Sequence, residues 1–330
     1  MQDVADRAGV SLATASFVIN GKATSKVSDA TRDRVLVAAG ELDYRPNAMA
    51  RQLSLASSSF LGLVADGIAT TPFAGALIRG AQDAAWEHGQ VLLIADTGSE
   101  PRAEREAVAM MLEHQVRGIV YSSWYHREVH PPPELEKTTA VLANCYVRGD
   151  AISSFVPDEV QGGRSATELL LESGHRRVGF ITSSLSAPGT TGRLRGYKDA
   201  LKRYGVTFEP ELVTRALPEQ EGGYLAGGVL LSLKDPPSAV FCYNDRMAMG
   251  FYDLVRERSL SIPGDVAVVG FDNQEIIAAH LRPTLSTVAL PHYELGYQSV
   301  NWLLDQEQSR GPSESSRSRV VCPRVVRESV

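Results

Sequence analysis

Apolar and polar positions change period along this chain, and the changes divide it. Between Asp3 and Asn20, Val4, Ala5 and Ala8 recur at helical spacing. Gly9 offers the left-handed conformation in which a helix stops, and Ser11 stands where a second helix needs an oxygen over its free amides. The pattern predicts helix, tight turn, helix. The second helix, Leu12 to Ile19, turns Ala15, Val18 and Ile19 inward and leaves Leu12, Ala13, Ser16 and Phe17 facing out. Ser28 caps a third amphipathic stretch reaching Leu42, with Val35, Ala38, Ala39 and Leu42 on one face. Three short helices close a small core and leave the second protruding, which is the arrangement of a DNA-reading head.

From Phe60 the period shortens. The apolar runs FLGLVA, VLLIAD, GIVYSS, AVLAN, VGFIT, AVFCYN and VAVVGFD alternate with helical patterns at 75–88, 102–114, 163–172, 193–204, 222–233 and 245–258. Continuous apolar strands between helices predict an α/β core of doubly wound parallel sheets covered on both faces. The alternation is too long for one lobe, and it breaks at Val156-Pro157-Asp158 and returns after Pro283. We therefore expect a head at 1–45, a hinge and linker at 46–59, and a two-lobed core at 60–330. Lobe 1 takes about 60–157 and 287–330, and lobe 2 about 158–286. Near the end the pattern predicts a helix from Pro291 to Leu304, a Ser-rich loop from Asp305 to Arg319 and a closing strand.

Composition excludes several classes. The 330 residues are 43% hydrophobic, enough for domains with proper cores. No apolar run approaches the ~18 residues of a membrane span, and the chain opens on its first helix without a leader pattern, so a cytoplasmic protein is expected. Cys145, Cys242 and Cys322 are odd in number and widely spaced, which fits buried reduced thiols, and the seven His show no metal-ligand spacing. Charge adds a caution: residues 1–55 carry a net +1 and the remainder −7. That is a weak electrostatic footprint for DNA, so binding would depend on segregated basic groups, helix N-termini and paired heads.

Polar residues follow the apolar runs at Asp66, Asp96, Ser122-Ser123-Trp124, Asn144, Asp158, Ser183, Asn244-Asp245 and Asp272. Open parallel sheets bind ligands beyond these strand ends, although Asp, Asn and Ser there also serve as plain helix caps. The motifs GVSLATAS, VINGK, VSDATRDRV and YRPNAMARQL, in that order, resemble the lactose-repressor (LacI/GalR) family of bacterial transcription factors, and the resemblance extends over nearly the whole chain. It implies DNA contacts at Ser11, Leu12, Ala13, Thr14, Ser16, Phe17, Asn20 and Tyr44. It makes the segment from Pro46 to Leu53 a hinge helix that pairs with its copy in the minor groove. There Leu53 wedges between base pairs, beside Asn47, Ala50 and Arg51. Chemistry agrees, since an apolar side chain is suited to prying a base step apart and so short a helix is marginal alone.

The chain departs from the family pattern at Phe17, where many members carry Arg. Arginine reads guanine with two hydrogen bonds, whereas Phe offers apolar contact, for example to a thymine methyl, so an unusual operator is expected. The segment 21–27 is also about two residues longer than usual. In the core, Pro72-Phe73-Ala74, Arg193-Leu194-Arg195-Gly196-Tyr197, Tyr243-Asn244-Asp245 and Gly270-Phe271-Asp272 match family stretches. The implied effector contacts are Phe73, Arg193, Asn244 and Asp272, with Trp124 as a stacking surface and Asp245 as a helix cap. Flat apolar faces with a fork donor, an amide and a carboxylate suit a sugar or sugar derivative. A purine-like ligand, or a carboxylate or phosphate on Arg193, stays open.

The resulting expectation is an effector-responsive repressor acting as a homodimer on a pseudo-palindromic double-stranded operator, with no cofactor, metal, catalytic residue or membrane partner. The alternatives are a solute-binding protein, which leaves the first 55 residues unexplained, and an α/β enzyme. For the latter no GxSxG, GxxxxGK or GxGxxG motif is present.

Overall fold

The computed structural model describes residues 1–19, 27–44, 59–67, 74–308 and 315–330, in two compact units, Met1–Ser59 and Phe60–Val330. In the first, helices span Gln2–Ala8, Leu12–Ile19 and Asp29–Glu41. Gly9 ends the first helix at φ 63°, the Ser11 hydroxyl accepts from the Thr14 amide at 3.1 Å, and Ser28 caps the third helix through the Thr31 amide. Val4, Ala5, Ala8, Ala15, Val18, Val35 and Ala38 form the core, with Ile19 and Ala39 packed against it. Leu42 corrects the expected apolar face: it is the C-terminal cap of the third helix and stands exposed, because the helix ends before its turn comes round to the core.

The second unit holds two six-stranded sheets. The first contains β1 (Phe60–Ala65), β2 (Val91–Asp96), β3 (Ile119–Glu128), β4 (Ala140–Tyr146), β5 (Ser154–Pro157) and β11 (Arg317–Val320), in the order β11-β5-β4-β3-β1-β2 and parallel throughout. The second contains β6 (Val178–Ser183), β7 (Val213–Ala216), β8 (Ala239–Cys242), β9 (Ala267–Asp272), β10 (Ser286–Ala289) and β12 (Arg324–Val325). Its order is β12-β10-β9-β8-β6-β7, with only β12 antiparallel. Alternation along the strands feeds a cluster on each face. In β1, Leu61, Leu63 and Ala65 meet helices Ala74–Glu87 and His292–Gln308, while Val64 meets helix Pro101–Glu113. The second sheet is covered likewise, by Glu159–Glu172 and Pro188–Arg203 on one face and Gln220–Leu231 and Asp245–Glu257 on the other.

The chain crosses between lobes at residues 157–158, 290–291 and 321–323. This corrects the lobe boundary. β10 and the tail from β12 onward belong to the second sheet, where Ser329 is buried and donates to the Val268 carbonyl at 2.6 Å. The expected loop at 305–319 is also shorter. The last helix runs on to Gln308, and Arg317–Val320 pairs with β5, with Arg317 held by Asp150 and stacked 3.6 Å over Tyr146. β5, β7 and β10 have four residues each and lacked a long enough apolar run to stand out.

Candidate functional site

A cleft of about 410 Å3 opens between the lobes, at the carboxyl ends of both sheets. Its first wall is Trp124, Tyr125, His126 and Asn144. The pairing of β3 with β4 advances five residues along β3, from Ser122 to Arg127, while advancing two along β4, so the intervening residues bulge toward the cleft. Asp66 anchors that bulge. Its carboxylate, 1% exposed, accepts from the Ser123 hydroxyl and the Trp124 amide, both at 2.8 Å, and pairs with Arg127.

The opposite wall is built on a close helix crossing. A β-carbon on Gly196 would lie 2.2 Å from the Val160 carbonyl oxygen, and one on Gly163 would lie 2.5 Å from the Arg193 backbone. Only hydrogen at both positions lets Glu159–Glu172 and Pro188–Arg203 approach so closely. The crossing carries Glu159 and Arg193, 6% and 5% exposed, into contact: Arg193 Nε donates to Glu159 Oε2 at 2.9 Å. Arg193 Nη1 donates to the Tyr243 carbonyl at 2.6 Å and lies 3.6 Å from Asp272 Oδ1, while the guanidinium stacks 3.7 Å over Phe271. His126 Nδ1 reaches Glu159 Oε1 across the cleft at 3.3 Å.

These neighbours set the charges. Burial alone would raise the Glu159 carboxyl, but Arg193 and His126 bring it down to about 2, so it is a fixed anion. Asp272 goes the other way: burial lifts it to about 6 despite Arg193. Burial lowers His292, which also lines the cleft, to about 4 against the pull of Glu159. Asn144 at φ 61° and Asp272 at φ 100° both occupy backbone conformations that L side chains rarely adopt. Such strain persists where the surroundings impose it, and here both residues line the cleft.

Four of the five residues expected to meet an effector, Trp124, Arg193, Asn244 and Asp272, line this cleft; Phe73 lies outside the described residues. The helix cap needs correction. Asn244, not Asp245, caps helix Asp245–Glu257, its Oδ1 accepting from the Met247 amide at 2.8 Å while its Nδ2 donates to the Pro218 carbonyl. Asp245 is fully buried and ties the helix to its neighbours, accepting from the Gln274 amide and the Thr287 hydroxyl. Its carboxyl is pushed well up by that burial and by Asp272. His126, Glu159 and Tyr243, none of them among the expected effector contacts, also line the cleft. Glu159 follows a capping Asp and reads as an ordinary acidic residue of a first turn, and His126 lies in a bulge with no period to mark it. The three cysteines are buried and unpaired, and among the described residues no His, Cys, Asp or Glu group could hold a metal.

In the head, Leu12 and Phe17 are 47% and 51% exposed, Ser11 and Ala13 are exposed, and Thr14 and Ser16 are half-buried. Tyr44 packs partly on the head core. Arg7 is paired with Glu41 at 2.8 Å, which removes one cation from an already weak positive face. Asn20, Asn47, Ala50, Arg51 and Leu53, with the whole hinge segment, lie outside the described residues.

A three-helix head that presents an exposed second helix, on a chain whose core is a two-lobed cleft, defines a ligand-responsive DNA-binding transcriptional regulator. The chain belongs to the LacI family: residues 1–47 match the model of "Bacterial regulatory proteins, lacI family" and residues 167–330 that of the "Periplasmic binding protein-like domain". It is 32% identical to the ribose operon repressor of Haemophilus influenzae, over 100% of this chain and 98% of that one. Among solved structures it is similar to the Lac repressor dimer bound to operator and the anti-inducer ONPF, with a TM-score of 0.80 and 25% identity over 99% of this chain and 97% of that one. It is also similar to the CelR–cellobiose complex, with a TM-score of 0.68 and 28% identity over 100% and 99% of the two chains. No helix among the described residues is long and apolar enough to cross a membrane.

Proposed function

We propose that this protein is a cytoplasmic repressor whose paired heads hold a pseudo-palindromic operator, and that a sugar or sugar derivative bound between the lobes decides whether they engage it. The observation that carries the reading is the cleft, where Trp124, Arg193, Asn244 and Asp272 converge from both lobes with aromatic faces beside hydrogen-bonding groups. A buried hydroxyl must keep a hydrogen-bond partner, and a flat sugar face packs on an aromatic ring, so this lining answers both needs. The cellobiose bound by CelR and the operator bound by the Lac repressor dimer support carrying both partners over to this chain.

A ligand that touches both lobes favours one angle between them over another, by no more than its difference in affinity for the two. That angle sets the spacing of two hinge segments, 46–53, in a dimer, and each needs its copy to hold a helix in the minor groove. In the head, Leu12, Ala13 and Phe17 read base edges through apolar contact, while Ser11, Thr14, Ser16, Asn20 and Tyr44 position the helix on phosphates. The cleft binds its ligand without transforming it.

A gel shift with the full chain and fragments of its own genome, at two salt concentrations, tests this directly. The expected result is a retarded specific complex with a shallow salt slope, released or tightened by at least one sugar of a panel. Leu53→Ala should weaken that complex while sparing sugar affinity. Indifference to every fragment, with and without sugars, would sink the proposal.

A further inference from the structure

Among the described residues, His126 Nε2 and Asn144 Oδ1, both on the first wall of the cleft, are buried polar atoms with no hydrogen-bond partner. Their chemistry is fixed by what the other end of each side chain does. Asn144 Nδ2 donates to the Ser123 carbonyl at 3.0 Å, so the amide is oriented and its free atom is an acceptor. His126 Nδ1 faces the Glu159 carboxylate, an acceptor, so in the neutral imidazole the hydrogen sits on Nδ1 and Nε2 accepts. A buried acceptor left unpaired costs as much as a lost hydrogen bond, and a ligand that supplies hydrogens recovers it.

Across the cleft the places suited to an anion are already filled. Glu159 occupies Arg193 Nε, and its Oε1 lies against the first turn of helix Pro188–Arg203, 3.3 Å from where a Gly189 β-carbon would stand. A helix N-terminus beside a guanidinium is a ready seat for phosphate or carboxylate. Here the protein's own carboxylate takes that seat. The other arginine lining the cleft, Arg246, pairs with Glu219 at 3.0 Å.

We propose that the cleft selects uncharged ligands rich in hydroxyl or amide hydrogens over phosphorylated or carboxylated ones. His126 Nε2 and Asn144 Oδ1 accept ligand hydrogens, and Glu159 stands where a ligand anion would otherwise meet Arg193. The proposal rests on reading the cleft as the effector site and narrows the class of effector that fits it.

Calorimetric titration of the full chain with matched pairs tests it: ribose, galactose, glucose and uridine, each against its phosphate ester. The neutral member of a binding pair should bind about tenfold or more tighter. Glu159→Gln should narrow that preference about tenfold by freeing Arg193. Asn144→Gly suits the left-handed backbone, so the fold is kept, and with His126→Phe, which keeps a ring, it should weaken the neutral member about tenfold. A phosphate ester that binds as tightly as its parent sugar overturns this proposal and leaves the effector reading standing. So does a neutral ligand indifferent to both Asn144→Gly and His126→Phe, which decides the matter should Glu159→Gln fail to fold. Failure of every pair to bind overturns the effector reading itself, and this proposal with it.

Discussion

Asp272 and Glu159 are two carboxylates on one arginine, and their surroundings separate them. Asp272 rises from 3.8 to about 6 because burial outweighs Arg193, so the folded state holds its proton more tightly than the unfolded chain does. Its contribution to stability is therefore full below about pH 4 and is lost as pH rises through about 6. Asp272→Asn should flatten that decline in urea denaturation between pH about 4 and 7; a variant as steep as the wild type would count against it. Glu159 has the opposite sign in a lower window: held at about 2, it contributes above 4.5 and the contribution is lost as pH falls toward 2. Phe17 belongs to the same scale. Exposed on the second helix, it has no donor for a base edge, so Phe17→Arg should shift the selected operator toward guanine at one position of each half-site. An unchanged selected-sequence profile would remove Phe17 from base readout.

Among elements, the helix pairs are joined by glycines that face each other. Gly196 and Gly163 do this at the cleft, and a β-carbon on Gly296 would lie 2.1 Å from the Leu77 carbonyl, where Gly80 faces Tyr293 in return. Gly196→Ala should cost about 1–3 kcal/mol by overpacking and, because the crossing aligns Glu159 with Arg193, weaken ligand binding as well. Gly228 is the contrast: it lies in a helix with nothing within 4 Å of its would-be β-carbon. There alanine should stabilise by about 0.5–1 kcal/mol, and equal denaturation midpoints for the two variants would refute the packing argument. Elements with their own period were legible in the sequence: the three head helices, the seven long apolar strands and six core helices. The strands β5, β7 and β10 were not, because each mixes polar with apolar residues over its four positions (SFVP, VTRA and STVA) and shows no apolar run, whereas β8, equally short, is apolar throughout. Helices Glu159–Glu172 and Pro188–Arg203 start about a turn earlier than their apolar pattern, since a cap at Asp158 and a proline at the first position set the start.

For the whole molecule, both lobes leave apolar side chains exposed: Trp86, Val91 and Ile94 on the first, Leu225, Val229 and Ile276 on the second. Scattered singly they would need no explanation, but Leu225 and Val229 are one turn apart on a single helix, as expected of a surface that a second copy covers. Leu225→Asp with Ile276→Asp should yield monomers in sedimentation and lose operator binding while keeping sugar affinity. A double variant that stays dimeric would place the interface elsewhere. The periodicity by itself determined the three-helix head, the alternation of strand and helix and the polar residues at strand ends, because each depends on neighbours a few positions away. Tertiary structure alone decided that the C-terminal tail returns to the second lobe, that His126 meets Glu159 from the opposite wall, and that Asn244 rather than Asp245 caps its helix. Those contacts join residues far apart in the chain or choose between adjacent ones of like chemistry, and only the packing of the sheets and the close approach of glycine-faced helices brings the partners within reach.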